Sequence, residues 1–336
     1  MKQHYLPRCY IKQFSNHDNS VFVLDLKQLI YGKDPRPQSK TPEVCLESNF
    51  YTVDETLKNV NQSFLIEDPL MLERFFSRSY EHKYGKVLKK AIHNNYLTKS
   101  DATVLAFSVL GIKFRSKFYR ENTVKRIIPI VLNGIKSDYV KLINSFEDPE
   151  KKERAKINVN TVLDQALSDP TLAKDLHIYS AISQNSNLDS PLNRLVKVFL
   201  GLKWALLENQ SPIPFITTDN PGYCIDKSEN VHNHKFEPPF AYFIPLSPKI
   251  ALYINSDETE DSFDPQSDKI ILRRIITEEF VKLYNKASLL NFYSQIITNQ
   301  KFGNTYLIDF AKSRIESGAI NLGILEQIQE RKGGIV

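Results

Sequence analysis

Cysteine occurs three times in 336 residues, at positions 9, 45 and 224. An odd number at wide spacing builds neither a disulfide framework nor a zinc-ligand pattern, so a reducing compartment is expected. No apolar run approaches the roughly eighteen residues that span a bilayer, and the opening MKQHYLPRCYIKQF lacks the apolar stretch of a secretory signal. A cytoplasmic location with no membrane partner follows as the expectation. GxGxxG, Walker A, HExxH, GxSxG and paired CxxC patterns are also missing. Their absence argues against the common nucleotide, zinc-peptidase, serine-hydrolase and zinc-ribbon sites. Tryptophan (one) and methionine (two) are scarce, so 20 Phe and 16 Tyr carry most of the large side-chain volume.

What is present is ordinary globular material, 41% apolar and 25% charged, long enough for one large domain or two modest ones. The net charge of +5 is unevenly spread. Lys83 to Arg126 holds eleven Lys or Arg against only Asp101 and Glu121. Such a stretch can attract the phosphates of a nucleic acid or nucleotide, or can simply be the solvated faces of two helices.

The patterning predicts an α+β fold, a central multi-helix bundle flanked by a mixed or antiparallel sheet built from N- and C-terminal strands. The whole chain, 1–336, reads as one domain. Its sub-regions are an irregular, partly β start (1–60), a helical centre (61–210) and a β-rich remainder with C-terminal helices (211–336). Strands are expected at Val21–Leu26, Asn49–Val53, Pro214–Thr217, Phe240–Leu246 and Lys249–Ile254, with a loop over Asp34–Pro42. Helices are expected over Leu70–Ile92, from the Thr98–Asp101 cap to about Glu121, and over Thr123–Asn144, Asn160–Ser168, Pro170–Ser183, Pro191–Glu208 and Asp268–Ala287. A strand-like NFYSQ and a short helical tail follow.

The opening motif sets His4 and Arg8 four residues apart around Pro7. In a continuous strand they would lie about 13 Å apart, too far to share a ligand atom. If Pro7 instead opens a short helix with Tyr10 and Phe14 on its buried side, His4 can fold back beside Arg8. That arrangement offers an anion clamp with an imidazole as acid, base or hydrogen-bond partner. The alternative is an N-terminal segment pinned to the core, with both groups satisfying carbonyls and a carboxylate.

The motif His4-Tyr5-x-Pro7-Arg8-x-Tyr10-Ile11-x-x-Phe14 resembles the N-terminal hallmark of the bacterial family DUF4238, a domain of unknown function. The resemblance continues through Phe50-Tyr51-Thr52, Glu81, Arg115, Trp204, the turn Thr217-Thr218-Asp219-Asn220-Pro221, Pro245-Leu246-Ser247-Pro248 and Asn285. It implies a cytoplasmic prokaryotic protein and, by analogy, a role in defence against phage or mobile elements. It also implies that Glu81 and Asn285 belong to the site.

Taken one by one, Arg115 shares a helical stripe with Val104, Phe107, Gly111 and Phe118, so it is expected to face inward while Lys113, Lys117 and Arg120 point away. A buried guanidinium needs a carboxylate or an anion. Helical phase offers Glu73 as its partner and the resemblance offers Glu81. Asp219 and Asn220 are either ligand-binding groups after a short strand or the hydrogen-bonding residues of a turn. His232 and His234 lack a third ligand at fixed spacing and read as surface, His177 as helix surface or core edge, and Trp204 and Tyr242 as core. No ligand spacing indicates a metal, although a divalent cation is compatible with these carboxylates. The resulting expectation is a hydrolase-like effector, nuclease included, on a phosphate-bearing substrate. His4, Asp219 and Glu81 form its catalytic set, and Arg8, Arg115, Asn220 and Asn285 bind substrate. Its alternative is a non-catalytic binding or regulatory module, or a sensor of a nucleotide or phage component.

Overall fold

The computed structural model describes residues 2–25, 36–52, 68, 70–169, 171–186, 190–228, 230–233, 236–259, 268–300, 308–309 and 312–313. The fold is α+β, with helices from the middle of the chain beside sheets that join its two ends. The chain opens with β1 (Lys2–His4), a bend through Pro7 and the short helix α1 (Arg8–Ile11). Strands β2 (Ser20–Asp25), β3 (Arg36–Lys40) and β4 (Leu46–Ser48) follow. Two of these departures from expectation have simple causes. Arg36–Lys40 is a strand despite Pro37, because β3 lies at the edge of its sheet, where a missing N–H is tolerated. The expected strand at 49–53 is a turn in its described part, entered through Asn49 at φ 55°, and β4 precedes it.

The long second helix is continuous but not uniform. Met71–Phe76 (α2) passes through a π turn, Ser77–Glu81, into α3 (His82–His93). After β5 (Tyr96–Leu97), α4 runs from Lys99 to Arg115, with the Thr98 side chain accepting the Asp101 amide as the cap spacing predicts. It stops at Arg115 rather than near Glu121. A second π turn, Tyr119–Val124, leads into α5 (Lys125–Asn144). Helix α6 spans Pro149–Ser168, longer than expected because Asp148 caps it and Pro149 sits in its first turn. Helices α7 (Leu172–Ser186) and α8 (Pro191–Gly201) complete the bundle. Pro170 lies outside the described residues.

Two expected helices are partly strands. Helix α8 ends at Gly201, and Leu202–Asn209, containing Trp204, is β6, a strand enclosed between two neighbours. Lys269–Ile276 is β12, and only Glu278–Leu289 (α9) is helical. In both, short apolar stretches suit a strand as well as a helix, and sheet pairing decides. The remaining strands are β7 (Thr217–Thr218), β8 (Tyr223–Asp226), β9 (Val231–His232), β10 (Phe240–Ser247), β11 (Ile250–Thr259) and β13 (Gln295–Thr298). The expected tail helix lies largely outside the described residues.

Seven strands form a mixed sheet in the order β5-β12-β6-β11-β10-β8-β9, parallel only at β12–β6. The antiparallel sheet β3-β2-β13-β7 joins N-terminal to C-terminal strands, and β1 pairs with β4. One apolar cluster runs from Tyr5, Tyr10 and Phe14 through Tyr84 and Leu105 to Trp204 and Ile297. Helix α4 packs against α3 and α8, which places its C-terminal turn beside the opening motif.

Candidate functional site

Pro7 (φ −56°, ψ 131°) stands immediately before α1, and its carbonyl accepts the amides of Tyr10 and Ile11. Its extended backbone turns the end of β1 into a helix, the second of the two arrangements considered for the motif. Tyr10 and Phe14 are fully buried. The Tyr10 hydroxyl donates to the Pro245 carbonyl at 2.6 Å and lies 2.8 Å from Thr217 Oγ1. Three stretches distant in sequence therefore meet on one phenol. Gln3 Oε1 accepts the Tyr51 amide at 2.7 Å, and Tyr51 Oη in turn donates to the Arg115 carbonyl at 2.6 Å. The opening motif is thus tied to the end of α4.

Arg115 faces inward, with 7% of its side chain exposed, and its Nη1 donates to Glu81 Oε1 at 2.6 Å. Its guanidinium lies 3.8 Å from the Phe76 ring centroid. Burial opposes its charge, but Tyr51 and Glu81 outweigh that and hold it protonated. Of the two candidate partners, Glu73 lies before the π turn Ser77–Glu81 and Glu81 is that turn's last residue. A turn of that type inserts an extra residue and rotates the helix beyond it, so residues on either side need not follow one stripe. Glu81 makes the ion pair, and Glu73 lies within electrostatic reach of both Arg115 and Glu81. Burial, reinforced by Glu81, raises the Glu73 carboxyl above its ordinary range.

His4 completes this group. Burial lowers its pKa, and the charges of Arg8 and Arg115 lower it further against the opposing influence of the Thr41 backbone and Glu81. Its Nε2, Arg115 Nε and Glu73 Oε2 are enclosed atoms without a hydrogen-bond partner. Arg8 is exposed. A partly open cavity of about 30 Å³ adjoins the cluster, lined by Pro7, Cys9, Tyr80, Glu81, Gly111 and Arg115 among others. A Cβ built on Gly111 would meet nothing within 4 Å. Burial and Glu81 push the Cys9 thiol up to about 12, so it is un-ionised at neutral pH.

The other expected site residues lie in a second polar region. Asp219 is fully buried and accepts from the Tyr293 amide (2.9 Å), the Ser294 amide (2.8 Å) and Ser294 Oγ (2.7 Å). Burial outweighs these donors and pushes its carboxyl up to about 6. Asn220 Oδ1 accepts from Lys113 and Ser116, and its amide donates to Asn233 and to the Asn291 carbonyl. Asn285 holds the Ile216 amide and the Pro214 carbonyl. Asp219 and Asn220 thus fasten the turn after β7 to its neighbours, and Asn285 fastens the segment that leads into β7. The structure brings together His4, Arg8, Glu81 and Arg115, and gathers Asp219 and Asn220 elsewhere.

Lys113 is a correction. The helical stripe turns it outward, yet it is fully buried, donating to Asn220 Oδ1 (3.1 Å) and the carbonyls of Gly222 (2.6 Å) and Pro221 (3.4 Å). Helix α4 is covered on most of its circumference, so it has no wide solvent face to receive the lysine. Burial lowers its pKa to about 7. Arg120, also expected outward, is 7% exposed and pairs with Glu47 (2.6 Å) and Glu121 (2.9 Å). Lys117 pairs with Glu47, Lys125 with Glu121 and Lys90 with Asp101. Five of the segment's eleven basic side chains, Lys90, Arg115, Lys117, Arg120 and Lys125, are therefore paired with carboxylates of the chain itself. Lys83, Lys86 and Lys89 on α3 and Arg126 on α5 remain exposed.

His177 is buried rather than peripheral, its Nε2 donating to the Phe114 carbonyl at 2.9 Å among the rings of Phe50, Tyr51 and Tyr119. Burial lowers its pKa to about 4. His232 is half-buried and bonded to Asp226 at 2.8 Å, and His234 lies outside the described residues. Trp204 and Tyr242 are core. No cluster of three metal-ligating side chains occurs, and no helix is long and apolar enough to cross a membrane, among the described residues.

No curated protein and no solved structure matches the chain. Residues 2–302 match the family described as Protein of unknown function (DUF4238). The motif whose tyrosine, proline and arginine organise the cluster thus lies within that match, and the chain belongs to the DUF4238 family.

Proposed function

We propose that the protein binds a small phosphate-bearing ligand at the His4–Arg8–Glu81–Arg115 cluster, and that His4 transfers a proton in its hydrolysis. The observation that carries this reading is the pair of enclosed, unpartnered nitrogens, His4 Nε2 and Arg115 Nε, in a cluster whose Glu81 and Arg115 line a partly open cavity. An unpaired buried polar atom is costly, and a bound water or anion removes that cost. The exposed guanidinium of Arg8 supplies positive charge near His4. A histidine whose pKa is lowered is neutral at pH 7, as a general base must be. Internal pairing of the basic segment favours a small ligand over a long nucleic-acid track. Asp219, expected as a catalytic group, is given the role of a turn fastener in this reading because its oxygens already hold three donors.

Turnover of a panel of phosphate monoesters and diesters, with and without divalent cations, tests the proposal. Hydrolysis that His4→Gln abolishes without lowering the melting temperature supports it. Activity unchanged in His4→Gln and Arg8→Ala contradicts it. A second reading, a structural knot without turnover, is favoured by the stacking of Arg115 on Phe76 and its pairing with Glu81. It expects Arg115→Ala to lower stability while His4→Ala is nearly silent.

A further inference from the structure

The cavity that Glu81 and Arg115 line is walled elsewhere by apolar groups. Helix α4 contributes Phe107, Ser108, Gly111, Ile112 and Arg115 to it. At about 100° per residue these positions span roughly 140° of the helix surface, with Gly111 and Arg115 near the middle of that arc. The rings of Tyr80 and Phe107, both on the wall, stack with centroids 5.1 Å apart and planes 17° from parallel. Phe76 and Leu192 add further apolar surface.

Little hydrogen-bonding capacity faces this space. Ser108 Oγ donates to the Val104 carbonyl at 2.7 Å, and Glu81 Oε1 accepts from Arg115 at 2.6 Å. The Tyr84 hydroxyl is enclosed, and Cys9 offers a thiol, a small and weakly polar group. A water is held well only by about two to four polar partners, and a sugar hydroxyl placed here would give up its partners in solvent for none. A compact apolar group gives up nothing of the kind. Arg115 and Glu81 belong both to the cluster and to the cavity wall, so a substituent on an anion held there lies next to this space.

Gly111 keeps the space open. Glycine inside a helix is less favourable than alanine, and close packing does not require it at this position, because a Cβ built there meets nothing within 4 Å. Its place in the middle of the lining arc aims any side chain at 111 into the cavity. The volume of about 30 Å³ equals roughly one water's share of the liquid, so a single added methyl group takes up most of it.

We infer that this cavity is the subsite for a compact apolar group of the phosphate-bearing ligand proposed above, on which reading the assignment rests, and that Gly111 sets the size of group admitted. The ligand class is then a phosphate or phosphonate carrying a short alkyl group, its anion toward Arg8 and Arg115 and its carbon in the cavity. Sugar and nucleoside phosphates are disfavoured, because their hydroxyls and ring nitrogens find no partners on this wall.

Calorimetric titration of the full chain with methylphosphonate and ethylphosphonate separates size from charge, since both carry the same anionic group and their carbon–phosphorus bond resists hydrolysis. Ethylphosphonate should bind about fourfold more tightly, the effect of one buried methylene. In Gly111→Ala that ratio should fall to about one, with a melting temperature no lower than that of the wild type. Gly134→Ala, whose glycine is equally open but does not line this cavity, should keep the wild-type ratio. Equal affinity of the wild type for the two phosphonates, or a preference that persists undiminished in Gly111→Ala, overturns the inference and leaves the anion reading in place. Binding of inorganic phosphate with neither phosphonate does the same. Failure of all three anions to bind contradicts the anion reading and the inference together.

Discussion

Removing Glu81 is the sharpest perturbation of the Arg115 cluster. In the folded chain Arg115 keeps 7% of its side chain exposed and Glu81 25%, so the pair is poorly screened by water. Breaking a buried pair by deleting one partner costs about 3–5 kcal/mol, because the surviving charge stays enclosed. Two features moderate this. Glu81 is a quarter exposed, and Glu73 stands within electrostatic reach of the same guanidinium. Glu81→Ala should therefore cost about 2–3 kcal/mol. The double variant Glu81→Ala, Arg115→Met removes both charges, and an apolar side chain of similar length restores packing on Phe76, so it should be more stable than Glu81→Ala alone by about 1–2 kcal/mol. Glu73→Gln should be nearly silent in the wild type, where its carboxyl is already disfavoured by burial, and costly in the Glu81→Ala background. Urea denaturation of the four variants at pH 7.5 provides the cycle. Costs that simply add, or a loss below about 0.5 kcal/mol for Glu81→Ala, refute the claim that an otherwise uncompensated buried charge organises this cluster.

Two further predictions concern buried bases. His177 titrates at about 4 in the folded chain against its ordinary 6.5, so the unfolded chain binds the extra proton between these values. Its contribution, about 3 kcal/mol, is fully present above pH 6.5 and lost as pH falls towards 4. His177→Gln should flatten that acid limb in urea midpoints relative to the wild type, and a parallel pair of curves contradicts it. Lys113, lowered to about 7 from 10.5, acts in the alkaline range. The unfolded chain holds its proton longer, so stability should rise by about 2 kcal/mol from pH 7 to pH 9, and Lys113→Met should remove that rise. An unchanged slope in the variant would assign the rise to other groups.

The sequence disclosed the site unevenly, for physical reasons. Pro7 with Tyr10 and Phe14 specified a local helix start, which does not depend on distant contacts, and the Thr98–Asp101 cap was legible for the same reason. Arg115 was legible as inward because its neighbours on the stripe are apolar. Lys113 was not, because α4 is covered on sides that a single amphipathic stripe cannot reveal, and a lysine bonded to carbonyls leaves no signature. The pairing of Glu81 rather than Glu73 occurs at a π turn that no residue pattern announced. Strands β6 and β12 were misread as helix because their pairing with each other and with β11 is a long-range event. Asp219 and Asn220 carry the residue types of a ligand site, but only the structure showed their atoms committed to Ser294, Lys113 and Asn291.

The central claim, that the opening motif and Arg115 form one anion site, is tested most directly by a ¹⁵N imidazole NMR titration of His4, assigned with His4→Gln. In the free protein His4 should titrate below 6.5, lowered by burial and by Arg8 and Arg115. Saturating inorganic phosphate should raise that value and shift Nε2 selectively, and Arg8→Ala should abolish the response. A His4 titration that phosphate leaves unmoved, or one equally moved in Arg8→Ala, contradicts the account.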